Sequence, residues 1–337
     1  MKLQQLRFFM AVIDNGLNIT QAAEALYTSQ PGVSKQIRLL ESELGMRLFV
    51  RQGKRLESLT PSGERVAEHA ARILKEVDGI KTVATELRGE SRGSIRLATT
   101  HTQARYVLPP VIDRFRRDFP EVDFHLHQGT SEQIARMMDE RKVDFALLSG
   151  SAGELGPLVL LPIYQWDRVI LVPDDHPLVD HDAPLNLAEL AKYPLVTYVF
   201  SDQPESSLMS SFSREGLTPR IAFTARDADI IKTYVRLGLG VGVIASMAVE
   251  AGADDDLVAL DATNLFPRLT TWLGFREDLL LKDYHCDFIR QLAPHLPETL
   301  FTALRREGPD ADLALHLRDL QTPLHEGPIR KPQPPGM

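Results

Sequence analysis

Residues 18–44 read NITQAAEALYTSQPGVSKQIRLLESEL, and two helix starts follow each other closely within them. Asn18 is a good N-cap with Gln21 three residues on, and Ala22, Ala23 and Leu26 give a short helix a small apolar face. Tyr27 and Thr28 form a turn, and Ser29 caps a second helix whose first turn holds Pro31, where the missing N–H costs nothing. In that helix Val33, Ile37, Leu40 and Leu44 fall on one buried stripe, leaving Gln30, Ser34, Lys35 and Arg38 on the opposite, polar face. Two short helices packed through alanines, the second presenting amides, hydroxyls and cations, predict a major-groove reader at about residues 19–38. Gln pairs bidentately with adenine, Arg with guanine, and Ser or Lys with phosphate. The candidate DNA contacts here are Thr20, Gln21, Ser29, Gln30, Pro31, Ser34, Lys35 and Arg38.

Upstream, Leu3, Leu6, Phe9, Met10 and Ile13 recur at helical spacing and Gly16 closes that helix. Downstream, residues 48–61, LFVRQGKRLESLTP, place two short apolar runs around Gln52-Gly53. They read as a hairpin wing with the phosphate-binding cations Arg51, Lys54 and Arg55 at its tip. This completes an all-α winged helix-turn-helix domain over residues 1–60; a plain three-helix packing unit with a charged loop is the alternative. From Ser62 to Gly89 the chain lacks proline, and Val66, Ala70, Ile73, Val77, Ile80, Ala84 and Leu87 step by 4 and 3 in alternation. That 3.5-residue period predicts a linker helix over 61–90 with a coiled-coil seam, hence a dimer on a roughly palindromic site. Charge agrees with the division. The whole chain carries −8, which alone argues against nucleic acid, yet residues 30–55 hold six cations against Glu41 and Glu43.

From residue 91 to about 300 strand and helix signals alternate. Strands are predicted at 95–99, 122–128, 145–149, 169–173, 195–198, 221–225 and 241–245, and helices at 104–119, 131–140, 206–215 and 227–237. This texture predicts an α/β domain with largely parallel sheets, long enough for two lobes around a cleft. The clearest cleft wall is ATTHTQARY, 98–106, where Thr100, His101, Thr102 and Gln103 meet free helix N–H groups at a strand's carboxyl end. Gly238, Gly240 and Gly242 follow a helix instead of a strand and read as close packing. His125 and His127 lack a third ligand, Ser149-Gly150-Ser151 lacks a nucleophile-elbow pattern, and Cys286 beside His285 reads as a half-buried helix position. No catalytic constellation, metal site or cofactor motif is found. One cysteine cannot form an internal disulfide, no stretch approaches a membrane span and the N-terminus has no export pattern, so the chain reads as cytoplasmic. Residues 301–337, ending GPIRKPQPPGM, read as a partly disordered tail.

The order of these pieces resembles the LysR-type transcriptional regulators. The segments MKLQQLRFF (1–9), LYTSQPGVSKQIRLLESELG (26–45), ATTHTQARYVLPPVI (98–112), AKYPLVTY (191–198) and DADIIKTYVRLGLGVGVIASMAV (227–249) resemble the cysteine-biosynthesis subgroup typified by CysB, more than its Cbl paralogues. The resemblance implies a periplasmic-binding-protein-type effector domain of two lobes. It also implies a homodimer or homotetramer that binds promoter DNA, engages RNA polymerase and activates sulfur-assimilation genes on binding N-acetylserine or O-acetylserine, with sulfate or thiosulfate as modulators. The implied effector residues are Thr100, Thr102, Gln103, Ser149, where the subgroup has Thr, and Tyr164 in the hinge IYQW, with Gln203 in the loop beyond LVTY. That loop departs: the subgroup reads about Thr-Phe-Gly-Phe-Thr-Gly-Arg-Ser where this chain has VFSDQPES, losing a Thr and an Arg and gaining Asp202 and Glu205. A LysR-type regulator answering to a different small anionic effector therefore stays open. A solute-binding protein and an enzyme acting on an acetylated amino acid are the readings from other classes.

Overall fold

The computed structural model describes residues 1–53, 55–86, 92–150, 158–180, 184–307, 313–318, 320–325 and 327, within two compact units, Met1–Glu90 and Ser91–Met337. The first unit runs α1 (Leu3–Asp14), α2 (Ile19–Ala25), α3 (Gln30–Leu44), a hairpin of β1 (Phe49–Gln52) and β2 (Arg55–Leu59), then α4 (Pro61–Glu86). The caps sit where the sequence puts them. Asn18 Oδ1 accepts from the Thr20 and Gln21 amides at 3.0 and 3.2 Å, Ser29 Oγ accepts from Gly32 N at 3.3 Å, and Gly45 ends α3 in the left-handed region. Each such N-cap contributes ~1 kcal/mol. Ala22 and Ala23 are buried, and their small size lets α2 lie close to α1 and α3 over a core of Phe9, Val12, Val33, Ile37, Leu40 and Phe49.

The seam of α4 divides between two surroundings. Val66 and Ala70 pack into the core of their own unit with Ala67 and Leu74, whereas Ile73 and Ile80 are exposed, Ile80 by 71%. The side chain of Ala84, and Leu87, lie outside the described residues.

The second unit holds two mixed five-stranded sheets. The first lobe contains β3 (Gly93–Thr99), α5 (His101–Tyr106), α6 (Leu108–Asp118), β4 (Val122–Gln128), α7 (Ser131–Asp139), β5 (Phe145–Ser149) and β6 (Val159–Trp166). The chain crosses at Asp167 into β7 (Arg168–Pro173), α8 (Leu187–Leu190), β8 (Leu195–Tyr198), α9 (Ser207–Arg214), β9 (Ile221–Ala225), α10 (Ala228–Arg236), β10 (Val241–Ala245) and β11 (Leu257–Asp261). It then returns to the first lobe with β12 (Leu269–Phe275), α11 (Asp283–Leu292), α12 (Glu298–Glu307) and α13 (Leu313–Leu317). The strand orders are β4-β3-β5-β12-β6 and β11-β7-β10-β8-β9. Arg268 Nε meets Asp167 at 3.1 and 3.3 Å, so one ion pair joins the two crossing segments.

Three sequence expectations are corrected. The sheets are not largely parallel: β12 runs antiparallel to β5 and β6, and β7 antiparallel to β10 and β11, because the two crossings bring each lobe a returning strand. The helix predicted over 104–119 is two helices that break at Val107, since Pro109 and Pro110 are accommodated only in the first turn of a new helix. A boundary at 300 cuts through α12, where Leu300, Phe301 and Leu304 form a buried stripe. Part of the expected tail also docks. Leu313, Leu317 and Leu320 pack on the first lobe, Gln165 N donates to Pro323 O at 2.8 Å, and His325 N donates to Gln165 O at 2.7 Å. The Pro-rich end beyond Gly327 lies outside the described residues.

Candidate DNA interface and effector site

On α3 the polar face is partly pre-ordered. Gln30 Nε2 donates to Ser34 Oγ at 3.3 Å and Arg38 Nε to the Ser34 carbonyl at 3.2 Å, one helical turn apart in each case. Gln30, Pro31, Lys35 and Arg38 are exposed, as are Thr20, Gln21 and Ser29, with Ser34 half-buried among them. One residue that the sequence offered only as a turn former is Tyr27, wholly exposed at positive φ beside the start of α3. The wing needs a revision. Arg51 sits one rung below the tip, opposite Leu56, and its guanidinium is bound to Glu41 at 3.1 Å. The other Glu41 oxygen accepts from the Leu48 and Phe49 amides at 3.0 and 3.4 Å, so Arg51 braces β1 against α3. Arg55 is exposed, and Lys54 lies outside the described residues.

In the second unit β3 ends at Thr99, whose hydroxyl donates to Leu147 O at 2.7 Å and ties it to β5. Thr100 is the N-cap of α5, so His101, Thr102 and Gln103 form the helix's first turn instead of preceding it. Gln103 points inward and is 2% exposed. Its Nε2 donates to Ser149 Oγ at 3.3 Å while its Oε1 accepts from Tyr164 Oη. Burial pushes the Tyr164 phenol well above its ordinary pKa, so it remains a donor at any physiological pH. Ser149 Oγ also lies 2.8 Å from Thr271 Oγ1 and accepts from Trp166 Nε1 at 3.1 Å. Thr102 reaches the other lobe, where its hydroxyl bonds the fully buried Tyr198, whose own oxygen accepts from Ala245 N at 3.3 Å.

Gln103, Ser149 and Tyr164 are thus brought into one buried network, with Thr100 and Thr102 on its rim. Gln203 is not part of it: the side chain is exposed beyond the short turn Val199–Asp202, and its carbonyl accepts from Ser206 N at 2.9 Å. Thr271 and Trp166 were not picked out from sequence. Trp166 had a signal, since it closes the hinge IYQW; Thr271 had none, because it reaches the site through a strand far along the chain. Two further contacts span the lobes, Tyr106 Oη to Asp229 Oδ1 at 2.6 Å and Arg105 to Glu250 at 3.0 Å. The ligand atoms of His101, Asp227 and Asp229 come within 4.8 Å of one another, but Asp227 caps α10 and Asp229 accepts from Tyr106, so both carboxylates are already engaged. His125 and His127 are exposed along β4, and Gly242 packs where a Cβ would meet Val235 and Leu171. Cys286 is buried in α11. The network gathers the Gln103 amide, the Ser149, Tyr164 and Thr271 hydroxyls and the Trp166 indole N–H in one place.

Comparison with known families and proteins agrees with both halves. Residues 3–64 match the bacterial regulatory helix-turn-helix protein, lysR family, and residues 88–297 match the LysR substrate binding domain. The chain belongs to the LysR family of transcriptional regulators. It is 45% identical over 306 residues to the HTH-type transcriptional regulator CysB of Haemophilus influenzae, covering 91% of this chain and 94% of that one. It is 42% identical to the regulator SsuR of Burkholderia cenocepacia, covering 91% and 100%. Among solved structures, the cofactor-binding domain of the Cbl transcriptional regulator superimposes with a TM-score of 0.59 at 38% identity, over 64% of this chain and 94% of that chain. This LysR-type regulator is accordingly a DNA-binding protein with a small-molecule-sensing domain, and its relatives are regulators, not enzymes. Among the described residues no helix is long and apolar enough to cross a membrane.

Proposed function

We propose that this regulator works in the cytoplasm as a homodimer or homotetramer and activates cysteine-biosynthesis and sulfur-assimilation genes when N-acetylserine or O-acetylserine binds between its lobes, with sulfate or thiosulfate as modulators. The observation that carries the reading is the buried network of Gln103, Ser149, Tyr164, Thr271 and Trp166 at the foot of Thr100 and Thr102. It offers amide and hydroxyl groups matched to a ligand bearing a hydroxyl, an amide or ester carbonyl and a carboxylate. The 45% identity to a CysB supports the gene class.

In mechanism, Thr20, Gln21 and the exposed face of α3 enter the major groove, with Ser29, Lys35, Arg55 and Lys54 on the phosphates. The exposed Ile73 and Ile80 of α4 supply a seam to a second copy, so two recognition helices meet a two-fold operator. A ligand bound more tightly by one arrangement of the lobes shifts the population toward it. The resulting change in the spacing of DNA-binding dimers relaxes the bent promoter and admits RNA polymerase. The test is a gel-shift titration of a cysteine-biosynthesis promoter with the full chain, with and without N-acetylserine. A specific complex whose mobility or affinity changes with the compound supports the proposal; a specific complex indifferent to it assigns a different effector.

A further inference from the structure

A second cluster of buried polar groups lies at the end of the other lobe's sheet, beside the network above. Arg168 opens β7 and is only 4% exposed. Burial draws its guanidinium down to about 10, still far above neutrality, so the group is a buried cation. Such a charge ordinarily has a carboxylate beside it. Among the described residues none pairs with Arg168: the adjacent Asp167 is taken by Arg268, and Asp202 and Glu205 are exposed. Nη2 donates to Ser207 Oγ at 2.9 Å, while Nη1 is buried with no partner among the described residues.

Two fully buried hydroxyls nearby share that condition, those of Ser201 and Ser246. Ladder and turns bring their backbones to the same end of the sheet. Ala245 faces Arg168 in the β7–β10 pair, and the next residue, Ser246, donates its amide to Asp167 O at 3.0 Å. Ser201 lies in the turn after β8, the strand beside β10, and its carbonyl accepts from Ser206 Oγ at 2.7 Å, next to Ser207. The cluster also runs into the effector network. The Arg168 guanidinium lies 5.9 Å from the ring of Trp166, whose N–H is on Ser149, and near Tyr198, which meets Thr102.

Buried donors without acceptors are what an anion satisfies. We infer that Arg168, with the hydroxyls of Ser201, Ser207 and Ser246, is the subsite that receives the negatively charged group of the effector, an oxyanion of the carboxylate, sulfonate or sulfate class. This rests on the reading of the interlobe pocket as the effector site. The first lobe then recognises the neutral, hydrogen-bonding part of the ligand and the second lobe its charge, so only a ligand carrying both draws on both lobes. The forked guanidinium suits a planar carboxylate or one face of a tetrahedral oxyanion.

Isothermal titration calorimetry of the full chain with N-acetylserine, with its uncharged carboxamide and with sodium sulfate tests the assignment. The wild-type chain is expected to bind N-acetylserine at least tenfold more tightly than the carboxamide. Arg168→Gln should erase that preference and abolish sulfate binding, whereas Arg168→Lys should keep part of both. Ser246→Ala, a smaller perturbation that serves if Arg168→Gln does not fold, should weaken sulfate several-fold. Equal binding of acid and amide by the wild type, undiminished binding by Arg168→Gln or Ser246→Ala, or wild-type binding of neither anion overturns the subsite. Sulfate binding that depends on Arg168, with no N-acetylserine binding, supports the subsite and removes N-acetylserine as the effector.

Discussion

Replacing Lys35 by Ala removes an exposed ammonium from the polar face of α3 without touching the buried stripe of Val33, Ile37 and Leu40. The ammonium acts on the duplex as a point charge, so its effect on binding is one of counterion release. Each phosphate neutralised contributes about −0.9 to the slope of log K against log salt, so a pair of protomers losing one contact each flattens the slope by about 1.8. Over a fourfold rise in salt that changes the ratio of mutant to wild-type affinity by about tenfold, almost equally on every sequence. Arg51→Ala makes the control. Its guanidinium is engaged by Glu41, so the substitution should lower thermal stability and leave the slope nearly unchanged once the protein is folded. Fluorescence anisotropy with a labelled operator and a scrambled duplex, from about 50 to 200 mM salt, reads both. An unchanged slope for Lys35→Ala, or a flattened one for Arg51→Ala, would refute the assignment of Lys35 to the phosphates.

Three further outcomes follow from the geometry. Thr102→Ala removes the hydroxyl that reaches Tyr198 and should abolish the inducer response in a reporter assay while operator binding persists; normal induction would sink the pocket assignment. Asp254 is buried with Lys232 at 2.8 Å and Arg236 at 2.9 Å, so Asp254→Ala leaves the buried Lys232 with only the longer Asp229 contact at 3.6 Å and should cost about 3 kcal/mol in urea unfolding. Burial alone would raise the Asp254 carboxyl, but hydrogen bonds from Lys232, the Glu250 amide and Arg236 hold it below 3.8, so its stabilisation is complete above that pH and fades as pH falls through the folded-state value. His285, walled by Phe145 and Tyr284, is pushed down to about 4 by burial. The unfolded chain therefore binds the extra proton between pH 6.5 and 4, stability should fall with pH across that window, and His285→Gln should flatten this part of the thermal-melt profile.

The DNA-reading half was legible in the sequence because its determinants are local. Asn18, Ser29 and Pro31 fix helix starts within a few residues of themselves, and the apolar stripe of α3 follows from one period. The second unit was legible only as far as its hairpin-free βα units reach. β6, β11 and β12 were missed: Pro162 interrupts β6, and β12 inserts between β5 and β6, a partnership that no local pattern encodes. The same non-locality hid Thr271, whose hydroxyl meets Ser149 only because of that insertion. Arg168 carried no signal either. A basic residue at a strand start reads as surface until the structure shows it buried.

In the proposed mechanism one small ligand, held between the lobes, changes how this regulator sits on DNA. DNase I footprinting of the full chain on a cysteine-biosynthesis promoter, with increasing N-acetylserine, tests it most directly. A protected two-fold site is expected at all concentrations, with the hypersensitive positions of a bent duplex fading and the outer protection shifting by about one helical turn as the ligand saturates. A footprint identical at every ligand concentration would contradict it.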